Sequence, residues 1–368
     1  IPMTAMLCGK CGLVQLKETV EPDLLYAQYF YRSHVTKTMS RDLKTVVEDA
    51  LSRVKAKNGD AVLDIGCNDG TMISMFPDTL TRVGIDPAKN IDWSHLDKNI
   101  TIVNDYFPTD ALKKWKFIVI TSTAMFYDLN KPNKAVQDIK EILADDGVLC
   151  IQVSYLYDTI KDMNFYDFCH EHLEYYSLLS LENLLRRHNL EAFDVELNDI
   201  NGGSFRIYIK HHGASRLIKV PTSAEERLKN LREEEKKLGL NDKTAYEDFA
   251  RRITDVKARI STFIQNEVKK NKKIFIYGAS TKGNTLLQFC DLDYRLIEAA
   301  AERNPMKWGK KTVGTLIPII SEEEARARKP DYFLILPWHF LAEFKERERE
   351  FLERGGKFIV PLPEFRII

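Results

Sequence analysis

The chain has no long apolar run and no surplus of charge of either sign. Lysines plus arginines and aspartates plus glutamates number 54 each over 368 residues, so there is no broad field to gather nucleic acid or an anionic membrane. No stretch reaches the length of a membrane span, and no basic-then-apolar segment opens the chain as a signal would. These absences lead to the expectation of a soluble, cytoplasmic protein with neither nucleic-acid nor membrane partners. Cysteine is scarce. Six residues scattered along the sequence do not make a disulfide framework, and Cys67, Cys150, Cys169 and Cys290 are expected reduced, in or near packed elements. The sequence opens on Ile1 rather than Met, so its natural start is expected to lie upstream. The length leads to the expectation of two or three domains and at least one sizeable core.

Against that plain background stands the run VLDIGCNDG at residues 62–70. An apolar strand ends in Asp64 and a turn bounded by Gly66 and Gly70, and the following Thr71 to Phe76 predicts the opening of a helix. Strand, tight turn and helix bring a nucleotide-like ligand against backbone amides. Val83-Gly84-Ile85-Asp86 then reads as a second strand whose terminal carboxylate is placed to hold a ribose diol. The loop lacks the middle glycine of a pyrophosphate fingerprint, while Asn68 and Asp69 suit a zwitterion. S-adenosylmethionine therefore fits better than NAD; an ordinary turn with no ligand is the alternative. Asp105, Tyr106 and Phe107, past the third strand, are candidates to cover the adenine, with a simple edge aromatic the competing reading for Tyr106 and Phe107.

Apolar periodicity predicts an amphipathic helix over residues 43–54. Strands are expected near 61–65, 82–86, 101–104, 117–122 and 147–153, and helices near 131–143 and 180–188, the latter capped by Ser180. Residues 192–198 and 205–211, joined by a turn-rich segment, predict an antiparallel hairpin closing the sheet. Residues 223–270 are dense in charge with one apolar stripe, which reads as two helices joining domains. A second glycine turn follows Ile274-Phe275-Ile276-Tyr277, with further strands near 295–301, 331–336 and 357–361. That makes an α/β architecture with a second, smaller doubly wound unit. The expected boundaries are 1–40, 41–215, 216–271 and 272–368.

Several motifs lack a part that a well-known site requires. Cys169-His170-Glu171-His172 does not have the i, i+4 histidines of a zinc-binding helix, and no third donor is evident. Proton transfer is the better use of imidazole beside a carboxylate; a pair of structural histidines is the alternative. The turn from Gly278 to Asn284 has no Walker lysine, because Lys282 precedes Gly283 and Asn284 stands in the lysine's place. It still offers amides to a diphosphate, with Ser280, Thr281 and Lys282 as added donors. Cys8 and Cys11 supply half of a tetrahedral zinc site, with no second pair downstream. Either the other pair lies before Ile1 or the metal is absent. Tyr29, Phe30, Tyr31, Arg32, Ser33 and His34 either pack or line a sugar pocket.

Taken together, these motifs resemble the three-domain sugar C-methyltransferases that act on nucleotide-linked 4-keto-deoxyhexoses. The resemblance rests on the Cys8/Cys11 half-knuckle with the following GLVQL, the YFYRS cluster and VLDIGCNDG. It rests further on Glu171-His172 with Tyr175-Tyr176-Ser177, the NGGSFR hairpin, and GASTKGNTLLQ from Gly278. It implies a class I methyltransferase Rossmann-like sheet, a second C-terminal Rossmann-like domain and a small N-terminal partial zinc-knuckle segment. It also implies methyl transfer from S-adenosylmethionine to carbon 3 of a dTDP-linked 4-keto sugar. His172 would be the base, Glu171 its orienter, and Tyr31 or His170 the enolate stabiliser. Substrate contacts would come from Tyr29, Arg32, Ser33, Tyr127, Asn201 and Arg206, and from Gly278, Ser280, Thr281, Lys282 and Asn284. Two positions depart from the pattern: Cys169 stands where some relatives carry tyrosine, and Met125-Phe126-Tyr127 where some carry histidine. An O- or N-methyltransferase of another small molecule, or a non-catalytic nucleotide-sugar or adenosyl-ligand binder, are the rival readings. The sequence leaves the oligomeric state open.

Overall fold

The structure is a computed structural model that describes residues 2–29, 31–35, 37–214 and 217–368. The chain divides into two compact units, Ile1–Tyr157 with His170–Asn241 and Asp158–Cys169 with Asp242–Ile368. Among the described residues, no helix is long and apolar enough to cross a membrane.

In the first unit, strands β1 (Ala5–Leu7) and β2 (Val14–Leu16) precede helices α1 (Pro22–Tyr26) and α2 (Lys37–Ser52). Then come β3 (Ala61–Ile65), β4 (Thr81–Ile85), β5 (Ile100–Val103), β6 (Phe117–Thr123), α3 (Pro132–Ile142) and β7 (Leu143–Ser154). Helix α4 (Leu156–Lys161) contains the point at which the chain passes to the second unit. The first unit resumes with β8 (Glu174–Tyr175), α5 (Leu178–Arg187), β9 (Leu190–Asn198), β10 (Ser204–His211) and α6 (Ala224–Leu238). The main sheet has the order β5-β4-β3-β6-β7-β10-β9, parallel as far as β7 and antiparallel through the β9/β10 hairpin. Every residue of β3 is buried, as expected for a central parallel strand covered on both faces. A small antiparallel sheet, β1-β2-β8, carries the segment after His172.

The second unit holds α7 (Lys243–Lys269), β11 (Ile274–Tyr277), α8 (Thr281–Phe289), β12 (Ala299–Glu302), β13 (Ile319–Ser321) and α9 (Glu322–Ala327). It ends with β14 (Tyr332–Ile335), α10 (Leu341–Arg347), α11 (Arg349–Glu353), β15 (Lys357–Val360) and β16 (Arg366–Ile367). Its sheet order is β13-β12-β11-β14-β15-β16, parallel except for β16.

Four expectations need correction. After the first glycine loop there is only a 3-10 turn at Ile73–Met75, not a helix. The Ser74 hydroxyl bonds back to Gly70 O, and Pro77 holds Phe76 extended, so the turn cannot propagate. Ser177, not Ser180, caps α5; the two serines bond reciprocally as a capping box. The charged segment is not a separate linker. Leu228 and Leu231 of α6 belong to the first unit's core, while α7 belongs to the second unit, where Tyr332 donates to its Glu267. Finally, β12 begins at Ala299 rather than near 295, because Asp293 and Arg295 close a turn on each other.

Candidate active site

The glycine loop after β3 is held by the end of β4. Gly66 and Cys67 donate their amides to Ile85 O at 2.9 and 3.1 Å. The Asp86 carboxylate accepts the Asn68 amide and the Ala88 amide, each at 2.9 Å. Gly66 has φ +76°, and a Cβ there would stand 2.7 Å from Met125 Cγ. Only glycine allows that turn so close to the segment following β6.

Asn68 and Asp69 project toward the N-terminal aromatic segment. Asn68 Oδ1 accepts the Ser33 amide, and Asn68 Nδ2 donates to Tyr31 O, both at 3.2 Å. Asp69 Oδ2 accepts the His34 amide at 3.2 Å and lies 2.6 Å from His34 Nδ1. The Arg32 guanidinium donates to the carbonyls of Tyr29, Tyr31 and Asn90. Arg32 thus ties the segment to itself and to the Asn90 main chain. Phe30 lies outside the described residues. Asn90 exchanges hydrogen bonds with the Tyr29 main chain, and Trp93 Nε1 donates to Asn68 O at 2.8 Å. Neither residue was singled out from sequence; their only signal is polarity in a segment without periodicity.

Asp64, expected at the end of the strand before the loop, lies within β3 at 1% exposure. Thr121 of β6, its register neighbour, donates to it at 3.0 Å. Burial, with the charges of Asp86 and Asp69, pushes its carboxyl up to about 8. Asp86 is also pushed upward, chiefly by burial. At Asp69, bonds from Thr71 and His34 outweigh burial and hold the carboxyl low. Asp105 is exposed, and Tyr106 donates to Asp23 at 2.6 Å on the wall of a hollow of about 540 Å³. Phe107 packs in the apolar core.

The segment following β6 connects this loop to the histidine motif. Met125 abuts Gly66, and two residues later the Tyr127 ring lies 4.2 Å from the His172 ring at 47°. Leu173 N donates to Tyr127 O at 2.9 Å, which fixes that pairing in the backbone. His172 is 8% exposed, and Tyr26 of α1 donates to Glu171 O at 3.0 Å. His170 is half-buried beside them in sequence.

Sequence reasoning missed the buried polar groups that flank Tyr127 and His172 in the chain. Glu174 is pushed up to about 9 by burial alone, and Asp128 rises well above the carboxylate range through burial and the charges of Glu171 and Glu174. Asp128 Oδ1, Glu174 Oε2 and Tyr176 Oη are buried without hydrogen-bond partners. The available signal was the two-residue spacing His172, Glu174, Tyr176, which puts all three on one face of an extended segment. Tyr31 is 45% exposed; burial of its phenol and the charge of Asp69 keep it protonated.

Arg206 corrects another expectation. Its buried guanidinium bonds Gln152, Asp49, Asp42 and Thr45, so it ties β10 to α2 and has no fork to offer a substrate. Asn201 lies in a 3-10 turn at Ile200–Gly202, and its side chain is outside what the structure describes. The knuckle forms a turn, with Cys8 N donating to Leu13 O and Gly12 N to Cys8 O. Amides of Lys10 and Cys11 lower the Cys8 thiol. No cluster of three or more metal-binding side chains occurs among the described residues, so zinc binding by Cys8 and Cys11 has no support there.

In the second unit, Gly278 has φ +87° and its amide donates to Ala301 O. Ser280 caps α8 by accepting the Gly283 amide at 3.0 Å. Lys282 pairs with buried Asp167 of the same unit, and Asn284 is half-buried on α8. The Thr281 side chain is outside the described residues. Glu302 at the end of β12 accepts the amides of Ala279 and Asn304 at 3.0 and 2.9 Å, a partner the sequence reading did not name.

A family model described as a methyltransferase domain matches residues 31–195, and one described as a C-methyltransferase C-terminal domain matches residues 199–363. C-methyltransferase NovU of Streptomyces niveus is 31% identical over 373 residues, spanning 100% of this chain and 87% of NovU. The chain belongs to the C-methyltransferase family. Solved structures of similar fold include a complex of the Haloferax volcanii Trm112 activator with a methyltransferase, at TM-score 0.39, 16% identity, and 48% and 93% coverage of the two chains. Another is 1,6-didemethyltoxoflavin-N1-methyltransferase of Burkholderia thailandensis, at TM-score 0.36, 12% identity, and 47% and 78% coverage.

As a C-methyltransferase dependent on S-adenosylmethionine, the protein requires a pocket suited to a sulfonium, an ammonium and a ribose. The first loop fits that ligand chemically: Asp64, Asp69 and Asp86 converge there and feel one another's charge. A concentration of carboxylates suits a cation and hydroxyl donors and repels a pyrophosphate.

Proposed function

We propose that this C-methyltransferase acts on a nucleotide-linked 4-keto-deoxy sugar of the dTDP type, methylating the carbon beside the ketone. The supporting observation is the run from Gly66 through Met125 and Tyr127 to His172, which sets a buried imidazole one short turn from the cofactor loop. S-adenosylmethionine, when bound, supplies an electrophilic methyl group. Asp86 is the residue suited to the ribose hydroxyls, with Asp69 and Asn68 fixing the adjoining YRSH segment.

A carbon next to a ketone is acidic enough to yield its proton to a positioned base. An imidazole nitrogen of His172 takes that proton, and general-base assistance typically contributes about 10²–10⁴-fold. Tyr31, held protonated by burial and Asp69, is suited to donate its hydroxyl hydrogen to the developing enolate oxygen. In the second unit, the glycine turn at Gly278 and the Ser280-capped start of α8 suit the diphosphate of the substrate, with Lys282 and Lys307 close by.

Deuterium wash-in tests this reading. A dTDP-4-keto-deoxy sugar incubated with enzyme in heavy water should exchange its carbon-3 proton, and His172→Ala should stop the exchange without loss of S-adenosylmethionine binding. Undiminished exchange in that variant would remove His172 as the base.

A further inference from the structure

Asp64 has an unusual hydrogen balance. Thr121 Oγ1 stands 3.0 Å from Asp64 Oδ1 and 3.2 Å from Leu63 O. A hydroxyl has one hydrogen, so an ionised Asp64 and the Leu63 carbonyl would compete for it in a fully buried place. A protonated Asp64 removes the conflict: its hydroxyl donates to Thr121 Oγ1, and Thr121 donates to Leu63 O. The surroundings favour the same state. Asp86 beyond β4 and Asp69 in the loop are negative, and Cys67, buried beside them, is a neutral thiol pushed well upward by burial and these carboxyls. The nearby guanidinium of Arg32 acts on Asp86, and the His34 ring lies against Asp69 rather than Asp64.

We propose that Asp64 is the charge-balancing group of the cofactor pocket, protonated when no sulfonium is present, ionised when the sulfonium of S-adenosylmethionine is bound, and protonated again when the bound molecule is the thioether, which keeps the ammonium and carboxylate but not the sulfonium. The inference rests on the loop at residues 66–70 holding the cofactor. The proton count closes. Asp64 gives one proton to solvent as the cation arrives and regains one after the positive charge is lost. Methyl transfer itself frees one proton, from the acceptor carbon. A fixed buried carboxylate would be left unpaired against the thioether; a carboxyl that reprotonates leaves no such charge behind. Asp64 thereby sets the preference for cofactor over spent product.

Titration calorimetry on the full chain at pH 7, in two buffers of different ionisation enthalpy, tests this. S-adenosylmethionine should release close to one proton per site and S-adenosylhomocysteine none. With Asp64→Asn, neither ligand should release a proton. Between pH 6 and 8 the affinity for S-adenosylmethionine should rise about tenfold per pH unit in the wild type and stay flat for the thioether. Equal proton release for both ligands, or release that persists in Asp64→Asn and so belongs to His34 or Asp86, would overturn the proposal. If Asp64→Asn does not fold, infrared difference spectra of the wild type decide. A protonated-carboxyl band should vanish with S-adenosylmethionine and persist with the thioether, and its persistence with both would overturn the proposal. Absence of binding by either ligand would instead overturn the cofactor site on which the inference rests.

Discussion

After β3 the chain turns at Gly66, and the carboxylate ending the next strand, Asp86, accepts a loop amide and the amide two residues ahead of itself. After β11 it turns at Gly278, and Glu302, ending the next strand, accepts a loop amide and again the amide two residues ahead. The backbone device is the same in both units. Around the first turn lie Asp64 and Asp69, and no helix follows; around the second lie Lys282 and Lys307, and α8 presents its capped end. The same backbone device thus carries different side chains in the two units, carboxyls over the first turn and paired lysines beside the second. Carboxyls in the first unit also differ among themselves. Asp42 and Asp194 are buried against Arg206 and Arg53, whereas Glu174 and Asp128 are raised by burial; in the second unit Glu348 pairs with Arg326 and half-buried Asp331 with Lys272.

The strongest test of this comparison exchanges its two glycines. Gly66→Ala forces an L-residue into a left-handed turn and drives a methyl into Met125. The combined cost of about 2–4 kcal/mol corresponds to roughly 30- to 1000-fold weaker S-adenosylmethionine binding by calorimetry. Gly278→Ala, whose Cβ meets Pro337, should leave that affinity within about twofold and weaken the sugar nucleotide instead. If both variants lose the same ligand, the two turns do not divide the labour.

A smaller effect separates the carboxyls. Glu174 has its folded pKa raised to about 9 from 4.5, so the folded state holds a proton that the unfolded chain has lost. Stability then falls as pH rises between those values. Glu174→Gln should gain on the wild type by up to about 1.4 kcal/mol per pH unit across that window, read from Tm at pH 5, 7 and 8.5. Asp331 shows the opposite sign. Burial there is outweighed by the Lys273 amide and the Lys272 side chain, and its pKa is lowered. Its contribution is present above pH 4 and is lost as pH falls through the folded value. Asp331→Asn should cost under about 1 kcal/mol at pH 7 and progressively less as pH falls below 4 toward the folded value. Least of all, His34→Ala removes a side-chain hydrogen bond to Asp69 from a histidine that is largely exposed. It should change S-adenosylmethionine affinity by no more than about fivefold.

The strands, the closing hairpin and both glycine turns could be read directly, because burial on two faces leaves unbroken apolar runs and tight turns require glycine. The missing helix after Gly70 could not, since Ser74 and Pro77 stop it through bonds and sterics that periodicity does not register. Within the site, the candidacy of His172 was visible as residue type and spacing. Its Tyr127 neighbour was visible only as a departure from a family pattern. Glu174 was passed over because a glutamate in an extended segment looks solvated until a fold encloses it. Arg206 misled for the converse reason: charge beside a glycine-rich turn suggests a ligand, and only α2 supplied the carboxylates that claim it.

By itself the sequence determined that there are two nucleotide-type turns, that the first is built for something other than a pyrophosphate, and that an imidazole follows the fifth strand. Those are local matters of backbone freedom and residue chemistry, and they survive any packing. Tertiary structure alone decided which polar groups are spent on one another and which are left over. Arg32, Asn68 and Asp69 became a clasp, and Asp64 became a buried acid with one shared hydrogen. Ionisation and hydrogen-bond supply depend on burial and on partners far apart in the chain, and no linear pattern encodes those distances.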